Sequence, residues 1–389
     1  MVASQIGGEA RAWPPTFGTE FNFTSAGLES AWNERGVKAN WSGSSWQVPG
    51  KAERDAATEF AKQVVGLCGG DCVSTAHRGK FGHTEYLIKF KDGWGFNISM
   101  DPGMVEIQTE PETAGVVQAN AERYQKYVFE AAEKAGLAPH RPPGGSTQDV
   151  AAHLNVGFRS AFGDDPRKFM RFFIDYANQP ALALGVFGKD PYNSPTIPHL
   201  DISQRKALAA IVADVNAGKF ETADQVMKRI NSEVYTVSPS FPTAGARSAR
   251  HYQALGLKQL LTPEYARHDM PFEFRAIRQQ LKAREYALLV DLMQRRLEFT
   301  NASTQPIRYE ADQTHNLRPD STELAQSFRR YVSEMGLKWE AYEEILLPEV
   351  RGLSIKLRGM NGFARIELQH LIFSERTRPC PTKGSLSPV

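Results

Sequence analysis

The sequence has few cysteines, no surplus of charge and no long apolar run, and each shortage excludes a class of protein. Its 389 residues include three cysteines, too few for the disulfide framework of a small secreted domain. The formal net charge is +2, from 46 basic and 44 acidic residues, whereas a dedicated nucleic-acid binder normally carries a basic surplus. No apolar run approaches the roughly 18 residues that span a bilayer. We therefore expect neither a nucleic-acid partner nor a membrane-spanning segment.

Two further absences concern the start of the chain and nucleotide-binding loops. The N-terminal residues have neither the basic start nor the apolar stretch of a secretory signal, so we predict a cytoplasmic protein. The phosphate-binding pattern G-x-x-x-x-G-K-[ST] is missing, which disfavours the P-loop nucleotide folds. Cys68 and Cys72 are a poor basis for a structural zinc site, which normally takes about four ligands. We expect Cys68 to end a helix beside Gly69 and Gly70.

The remaining composition is that of a globular protein, with 41% hydrophobic and 23% charged residues. Turn residues at 91–93 and 101–103 separate three segments between residues 84 and 109, which predicts a β-meander. Longer segments have apolar residues at helical spacing. These predict helices at 53–67, 117–135, 166–176, 206–215, 222–232, 283–299 and 321–335.

Five predicted strands place polar side chains on one side only, because strand side chains alternate between the two faces. The strands are 17–23, 94–100, 104–109, 151–158 and 271–277. Their polar members are Glu20, Asn22, Asn97, Ser99, Glu106, Gln108, His153, Asn155, Glu273 and Arg275. We therefore predict an α+β fold in which one twisted antiparallel sheet has a polar active-site face and an apolar face covered by helices.

These polar residues could simply face water, as one side of an antiparallel sheet often does. A water-facing sheet should also be rich in Lys, Thr and Ser, whereas this set is concentrated in groups that bind metal and phosphate. Carboxylates held together repel one another unless a divalent cation or an arginine compensates their charge. The combination favours a site for Mg²⁺ or Mn²⁺ with the phosphates of a nucleotide.

Six segments resemble, in order, the motifs of a known enzyme family. Residues 17–22 (FGTEFN) are similar to F-G-x-E-x-E, and residues 94–101 (WGFNISMD) and 105–111 (VEIQTEP) to W-x-x-x-x-D and E-[IL]-x-[ST]-x-P. Residues 152–157 (AHLNVG), 250–257 (RHYQALGL) and 272–275 (FEFR) resemble G-x-H-V-H-[VI]-G, R-Y-x-x-[LV]-N-L and I-E-F-R. The family is the amidoligases of the glutamine synthetase and glutamate–cysteine ligase superfamily, the carboxylate–amine ligases.

The resemblance implies a glutamine-synthetase-like fold and an ATP-dependent ligase that forms an amide or isopeptide bond through an acyl-phosphate. Its cofactors would be ATP and Mg²⁺ or Mn²⁺, and its substrates a small-molecule or peptide carboxylate and an amine. The implied metal ligands are Glu20, Glu106, His153 and Glu273. The implied catalytic residues are Arg275, Glu273 and His153. The implied cofactor-binding residues are Lys89, Asn155, Arg247 and Arg250.

Three positions depart from the family pattern and keep other functions open. Asn22 stands where the family has a second Glu, Asn155 where it has a second His, and Gly256 where it has Asn. The two asparagines keep an oxygen ligand but lose charge or basicity. One alternative is a catalytically silent nucleotide- or ligand-binding module on the same fold. Another is a guanidino kinase, which would phosphorylate a guanidine without releasing inorganic phosphate.

The chain is predicted to have three parts. Residues 1–300 form the amidoligase-like catalytic domain, residues 301–377 a helical extension packed on it, and residues 378–389 a flexible tail. Arg295 and Arg296 belong to a predicted helix whose leucines and Met293 point inward. Both arginines are therefore expected on the solvated face of that helix.

Overall fold

The computed structural model describes residues 14–38, 48–79, 82–139, 151–179, 200–236, 253, 255–261, 269–311 and 321–345. Within these residues nine strands form one antiparallel sheet in the order β2-β3-β4-β5-β1-β7-β9-β8, and β6 also pairs with β1. The strands are β1 (Thr16–Phe23), β2 (Cys72–Arg78), β3 (Thr84–Phe90), β4 (Gly95–Asp101), β5 (Met104–Thr109), β6 (Glu112–Thr113), β7 (Ala151–Gly157), β8 (Leu255–Gly256) and β9 (Pro271–Arg278). The predicted α+β class and antiparallel sheet are confirmed.

The helices of the same residues include all of the helical segments that periodicity predicts. They are α1 (Ala26–Lys38), α2 (Lys51–Cys68), α3 (Ala114–Ala119), α4 (Ala121–Tyr124), α5 (Glu130–Lys134), α6 (Phe158–Phe162), α7 (Pro166–Ala177), α8 (Ile202–Asn216), α9 (Ala223–Arg229), α10 (Ala283–Ala302) and α11 (Ser321–Glu334). Wide π-helical turns at Gln125–Phe129 and Ile230–Val234 adjoin α4 and α9, and short 3₁₀ turns occupy Lys258–Leu261 and Trp339–Ile345. The helix predicted at 117–135 is therefore interrupted rather than regular.

The predicted meander forms β3, β4 and β5, which are neighbours in the sheet. Gly93 and Gly103 close the two turns with φ of 90° and 76°, a conformation that a side chain disfavours. Apolar side chains of these strands are buried, and Phe96, Ile98 and Ile107 are fully so. This alternation places the core on one face of the sheet.

Helices α2, α7 and α10 cover that apolar face. Aromatic rings from the strands and the helices meet there with centroids between 5.1 and 6.2 Å apart. The pairs are Phe23 with Phe60 of α2, Phe272 with Phe172 of α7, and Phe21 with Tyr286 of α10. Helices on one side leave the other side of the sheet for polar residues, as the sequence predicts.

The elements that were not predicted from the sequence are α1, α6 and the strands β2, β6 and β8, of which β2 is an edge strand. In β2 every residue after Cys72 is exposed, so it lacks the apolar alternation that marks a half-buried strand. Cys72 forms a disulfide with Cys68 at the end of α2, a pairing that the sequence did not predict. Gly69 follows with φ of 59°, which confirms that α2 ends at the expected position.

The expectation for Arg296 was wrong, whereas Arg295 is exposed as expected. The Arg296 side chain is 1% exposed and donates to Asp175 of α7 through Nε at 2.7 Å. It also donates to the Tyr331 carbonyl at 3.2 Å and to Glu334 at 3.0 Å, both in α11. A buried guanidinium needs such partners to offset its lost hydration. Arg296 therefore joins α7, α10 and α11.

We expect Arg296→Lys to lower the free energy of unfolding by about 1.5–3 kcal/mol, because lysine cannot reproduce the planar fork that serves three partners. Arg295→Lys is the control, since Arg295 is about half exposed on the same helix and should stay within about 0.5 kcal/mol of wild type. Denaturant unfolding measures both variants. Equal stabilities would contradict the role given to Arg296.

The described part of the C-terminal region packs on α10. Tyr342 donates its hydroxyl to Asp291 of α10 at 2.5 Å, and Glu334 of α11 accepts from Arg296. The domain boundaries at 300 and 377 stay predictions, and the predicted tail at 378–389 lies outside the described residues. In the described part of the chain no helix has both the length and the apolar character to cross a bilayer.

Candidate functional site

Strand register brings the predicted polar residues onto one face. Glu20 of β1 lies directly opposite Gln108 of β5 and His153 of β7, and Gln108 in turn lies opposite Asn97 of β4. Residues paired across antiparallel strands share a face. Asn155 of β7 likewise lies opposite Glu273 of β9. The polar face predicted from the alternation is therefore present.

Three of these side chains converge tightly. Glu20, His153 and Glu273 each offer one ligand atom, and the three atoms lie within 4.8 Å of one another. His153 Nδ1 is hydrogen-bonded to Glu20 Oε2 and lies 3.1 Å from Glu273 Oε1. The side chains are 15%, 20% and 9% exposed for His153, Glu20 and Glu273. We call these three residues the triad.

A β-bulge places Arg275 beside the triad. Ala152 pairs with Ile277 and Leu154 with Phe274, so Arg275 and Ala276 of β9 together face the single residue His153. Bulges re-aim side chains and often occur next to active sites. Arg275 donates from Nη1 to Glu273 Oε1 at 2.8 Å, and its side chain is 11% exposed. The guanidinium therefore lies at the edge of the triad.

The charges of the triad depend on one another. Burial and the Arg275 guanidinium oppose protonation of His153, but Glu273 and Glu20 outweigh both and raise the pKa of His153 to about 10. Burial opposes ionisation of Glu273, yet the charges of His153 and Arg275 hold the pKa of that carboxyl well below its usual range. At neutral pH His153 is therefore an imidazolium between two carboxylates.

Glu106, the fourth predicted metal ligand, lies on the same face but is not part of the triad. Its Oε1 accepts from Ser99 Oγ at 3.0 Å and from Gln108 Nε2. Burial, with repulsion from Glu20 and Asp101, raises the pKa of Glu106 to about 8. Glu106 therefore differs from the triad in two ways. Its carboxyl group is hydrogen-bonded to Ser99 and Gln108, and its raised pKa favours the uncharged form at neutral pH.

The two asparagines that depart from the family pattern also lie on this face. The backbone N–H of Asn22 donates to Gln279 Oε1 at 2.6 Å. Asn155 Oδ1 is buried and has no hydrogen-bond partner in the described part of the chain. Since Asn155 lies beside Glu273, this oxygen is available next to the triad. A buried polar atom without a partner calls for an explanation, and a bound ligand is one.

Of the other predicted cofactor-binding residues, Lys89 does not reach the triad and the two arginines are outside the described part of the chain. Lys89 is on the polar face, but it belongs to β3 and forms an ion pair with Glu110. Strands β4 and β5 separate it from β1. Arg247 and Arg250 lie outside the described residues, so their predicted roles stay predictions.

The structure adds His77 and Glu85 to the polar face. His77 Nε2 is 2.8 Å from Asn97 Oδ1, and Asn97 Nδ2 donates to Glu85 Oε2 at 3.1 Å. These contacts extend the polar network to β2 and β3. Sequence reasoning missed His77 because β2 has no apolar alternation, and Glu85 because only the apolar side of β3 was followed.

The donor set of the triad fits a divalent cation. Two carboxylates and one imidazole suit Mg²⁺ or Mn²⁺, and the carboxamide oxygen of Asn155 is a further donor of the right chemistry next to Glu273. A cation must compete with the proton of His153, because only the neutral imidazole is a ligand. The triad can therefore hold either a proton or a metal ion.

We expect Mn²⁺ affinity to rise about tenfold per pH unit between about pH 6.5 and 8.5, since the raised His153 pKa means that each bound ion releases one proton. Calorimetry in buffers of different ionisation enthalpy counts that proton. His153→Gln should bind more weakly and lose this pH dependence. Wild-type binding that is independent of pH would contradict competition at His153.

Comparisons with known proteins do not assign the chain to a family. Neither a protein-family model nor a curated protein sequence matches the chain. Among solved structures, apo GmaS (gamma-glutamylmethylamide synthetase) without ligand is similar at a TM-score of 0.37 and 12% sequence identity. The match covers 91% of this chain and 72% of GmaS. Similarity at this level does not establish a shared fold.

Proposed function

We propose that the protein is an ATP-dependent carboxylate–amine ligase with a glutamine-synthetase-like catalytic domain and its active site on the polar face. The observation that carries the proposal is the convergence of Glu20, His153 and Glu273, with Arg275 bonded to Glu273. Carboxylates packed this closely repel one another unless a cation compensates their charge, and a bound divalent cation can in turn bind phosphate. The ordered motif resemblance supports the choice of amide formation among phosphate-using reactions.

The proposed reaction has two steps. An oxygen of the substrate carboxylate attacks the γ-phosphorus of ATP, and ADP leaves. The amine then attacks the acyl carbon and displaces inorganic phosphate, losing one proton to form the amide. Protein groups in such phosphoryl transfer mainly position the reactants and neutralise charge.

The chain's own residues have separate tasks in this scheme. Arg275 meets the transferring phosphoryl group, since one arm of its fork is held by Glu273 and its buried Nε has no hydrogen-bond partner in the described residues. Glu273 and Glu20 orient His153 from either side. Asn155 contacts nucleotide through its carboxamide.

Glu20, His153 and Glu273, with Glu106 nearby, would hold Mg²⁺ or Mn²⁺. When bound, the ion neutralises phosphate charge. The proposed substrates are a small-molecule or peptide carboxylate and an amine, as the resemblance implies, and the proposed compartment is the cytoplasm.

A second candidate is a silent binding module on the same fold. One observation favours it: the two carboxylates of the triad are already satisfied by the His153 imidazolium, so the cluster does not require a metal ion. Asn22 and Asn155 also support this candidate, since each replaces a charged or basic residue of the family pattern.

Phosphate release from ATP, screened against a panel of carboxylates and amines with Mg²⁺ or Mn²⁺, separates these functions. The ligase predicts release that needs one carboxylate and one amine together. A guanidino kinase predicts ADP without free phosphate when a guanidine is supplied. ATP binding with no turnover for any pair would favour the silent module.

A further inference from the structure

A second recessed surface lies away from the polar face. It is a cleft of about 470 Å³ between α7, the end of α10 and residues 303–308. Helix α7 packs on the apolar side of the sheet, where Tyr176 meets Phe274 with ring centroids 5.4 Å apart. Phe274 alternates with Glu273 and Arg275 along β9, so the cleft lies on the helix side of the sheet.

The extended wall of the cleft is held in place by side chains. Arg171 of α7 donates from Nη2 to the Gln305 carbonyl at 2.6 Å. Asn216 of α8 donates to the Ile307 carbonyl at 2.9 Å and accepts from the Ile307 N–H at 3.0 Å. These bonds hold residues 305–307 against α7 and α8, so contacts within the protein define this wall of the cleft.

The charge in the cleft is positive. Arg171 and Arg308 line it, and neither forms an ion pair with any residue that the structure describes. Asp175 is the acidic lining residue, and it is bonded to Arg296 at 2.7 Å. Burial lowers the pKa of Arg171, and the charge of Asp165 offsets this effect only in part. An anion would supply that partner.

The rest of the lining combines one polar atom with apolar walls. Asn178 Oδ1 is buried and has no hydrogen-bond partner in the described part of the chain. Phe299 is 42% exposed although it is a large aromatic residue, and Ile174 and Pro306 extend the apolar surface. Concave sites with apolar walls and a few convergent polar groups are typical of small-molecule binding.

We propose that this cleft binds a small organic anion. Its phosphate or carboxylate group pairs with Arg171, its apolar ring or chain lies against Phe299, and a hydroxyl or protonated acidic group donates to Asn178. The site is independent of the polar face and of the reaction proposed there, since it shares no residue with it.

The probe is phenyl phosphate, titrated calorimetrically into the full chain with a chelator present, so that no metal-dependent phosphate binding contributes. We expect saturable binding to wild type, and affinity at least about tenfold lower in Arg171→Gln, which loses a charge-assisted pair. Inorganic phosphate and phenol, which each offer half of the recognised chemistry, should bind at least about tenfold more weakly than phenyl phosphate.

Two further variants make the test specific. Arg167→Gln is the matched control, because Arg167 is exposed one turn earlier on α7 and does not line the cleft. It should bind within about twofold of wild type. Ala302→Trp places a ring in the cleft from an exposed position and should abolish binding, with thermal unfolding confirming that the variant is folded. Absent binding to wild type, or affinity unchanged in both Arg171→Gln and Ala302→Trp, would overturn the proposal.

Discussion

Arg275→Lys is expected to lower turnover by about 10³-fold while ATP affinity changes only a few-fold. The guanidinium is held against Glu273 through Nη1 at 2.8 Å, and its Nε lies buried beside the triad. Charge that develops on the transferring phosphoryl group is stabilised in the transition state by such a preorganised donor. Lysine keeps the charge but cannot bond Glu273 and phosphate at once through a planar fork.

Arg284→Lys is the control for this exchange, since Arg284 is 69% exposed and pairs with Glu344 away from the triad. Turnover and the ATP dissociation constant are measured for both variants, together with thermal unfolding. Turnover unchanged in Arg275→Lys would show that the role given to Arg275 is wrong. An equal loss of turnover and affinity would place Arg275 in ground-state binding instead.

Glu273→Gln is expected to abolish the stabilisation that metal and ATP confer on the folded protein. A ligand that binds only the folded state adds about 2.7 kcal/mol at 100 times its dissociation constant. The substitution keeps the shape of the side chain but removes the carboxylate that His153 and Arg275 both contact. Glu20 still pairs with His153, so the variant should fold.

Glu110→Gln is the matched control, because Glu110 is a carboxylate beside the polar face that pairs with Lys89 rather than with the triad. Thermal unfolding is recorded for each variant with and without Mn²⁺ and ATP. We expect the full shift in wild type and Glu110→Gln and none in Glu273→Gln. A shift of wild-type size in Glu273→Gln would rule out a metal–nucleotide site at that carboxylate.

The sheet and its polar face could be predicted because period-two alternation is a local property of the chain. Glu20, His153 and Glu273 come from distant segments, yet their phase within each strand already assigned them to a common face. The turns at Gly93 and Gly103 were predictable for a similar reason, since their conformation suits glycine.

Alternation alone could not predict the closeness of the triad, because it depends on strand order and on the bulge opposite His153. Only the family resemblance grouped these residues as metal ligands. By strand alternation alone, Glu106 and Glu273 are equivalent. In the structure Glu106 is hydrogen-bonded to Ser99, whereas Glu273 belongs to the triad. Arg296 shows the same limit: helical spacing gave it a solvated face, and α7 and α11 cover it. For the triad, for Glu106 and for Arg296, contacts between secondary-structure elements determined where the side chain lies, and a local pattern does not contain those contacts.

Transfer of ¹⁸O from the substrate carboxylate to inorganic phosphate tests the proposed acyl-phosphate reaction. The carboxylate that supports phosphate release is supplied with both oxygens labelled, together with ATP, Mg²⁺ and the amine. The reaction proposed for the polar face predicts one labelled oxygen in each phosphate released, because the oxygen that attacks phosphorus leaves with it. Unlabelled phosphate, or no carboxylate-dependent release at all, would contradict ligation at this site.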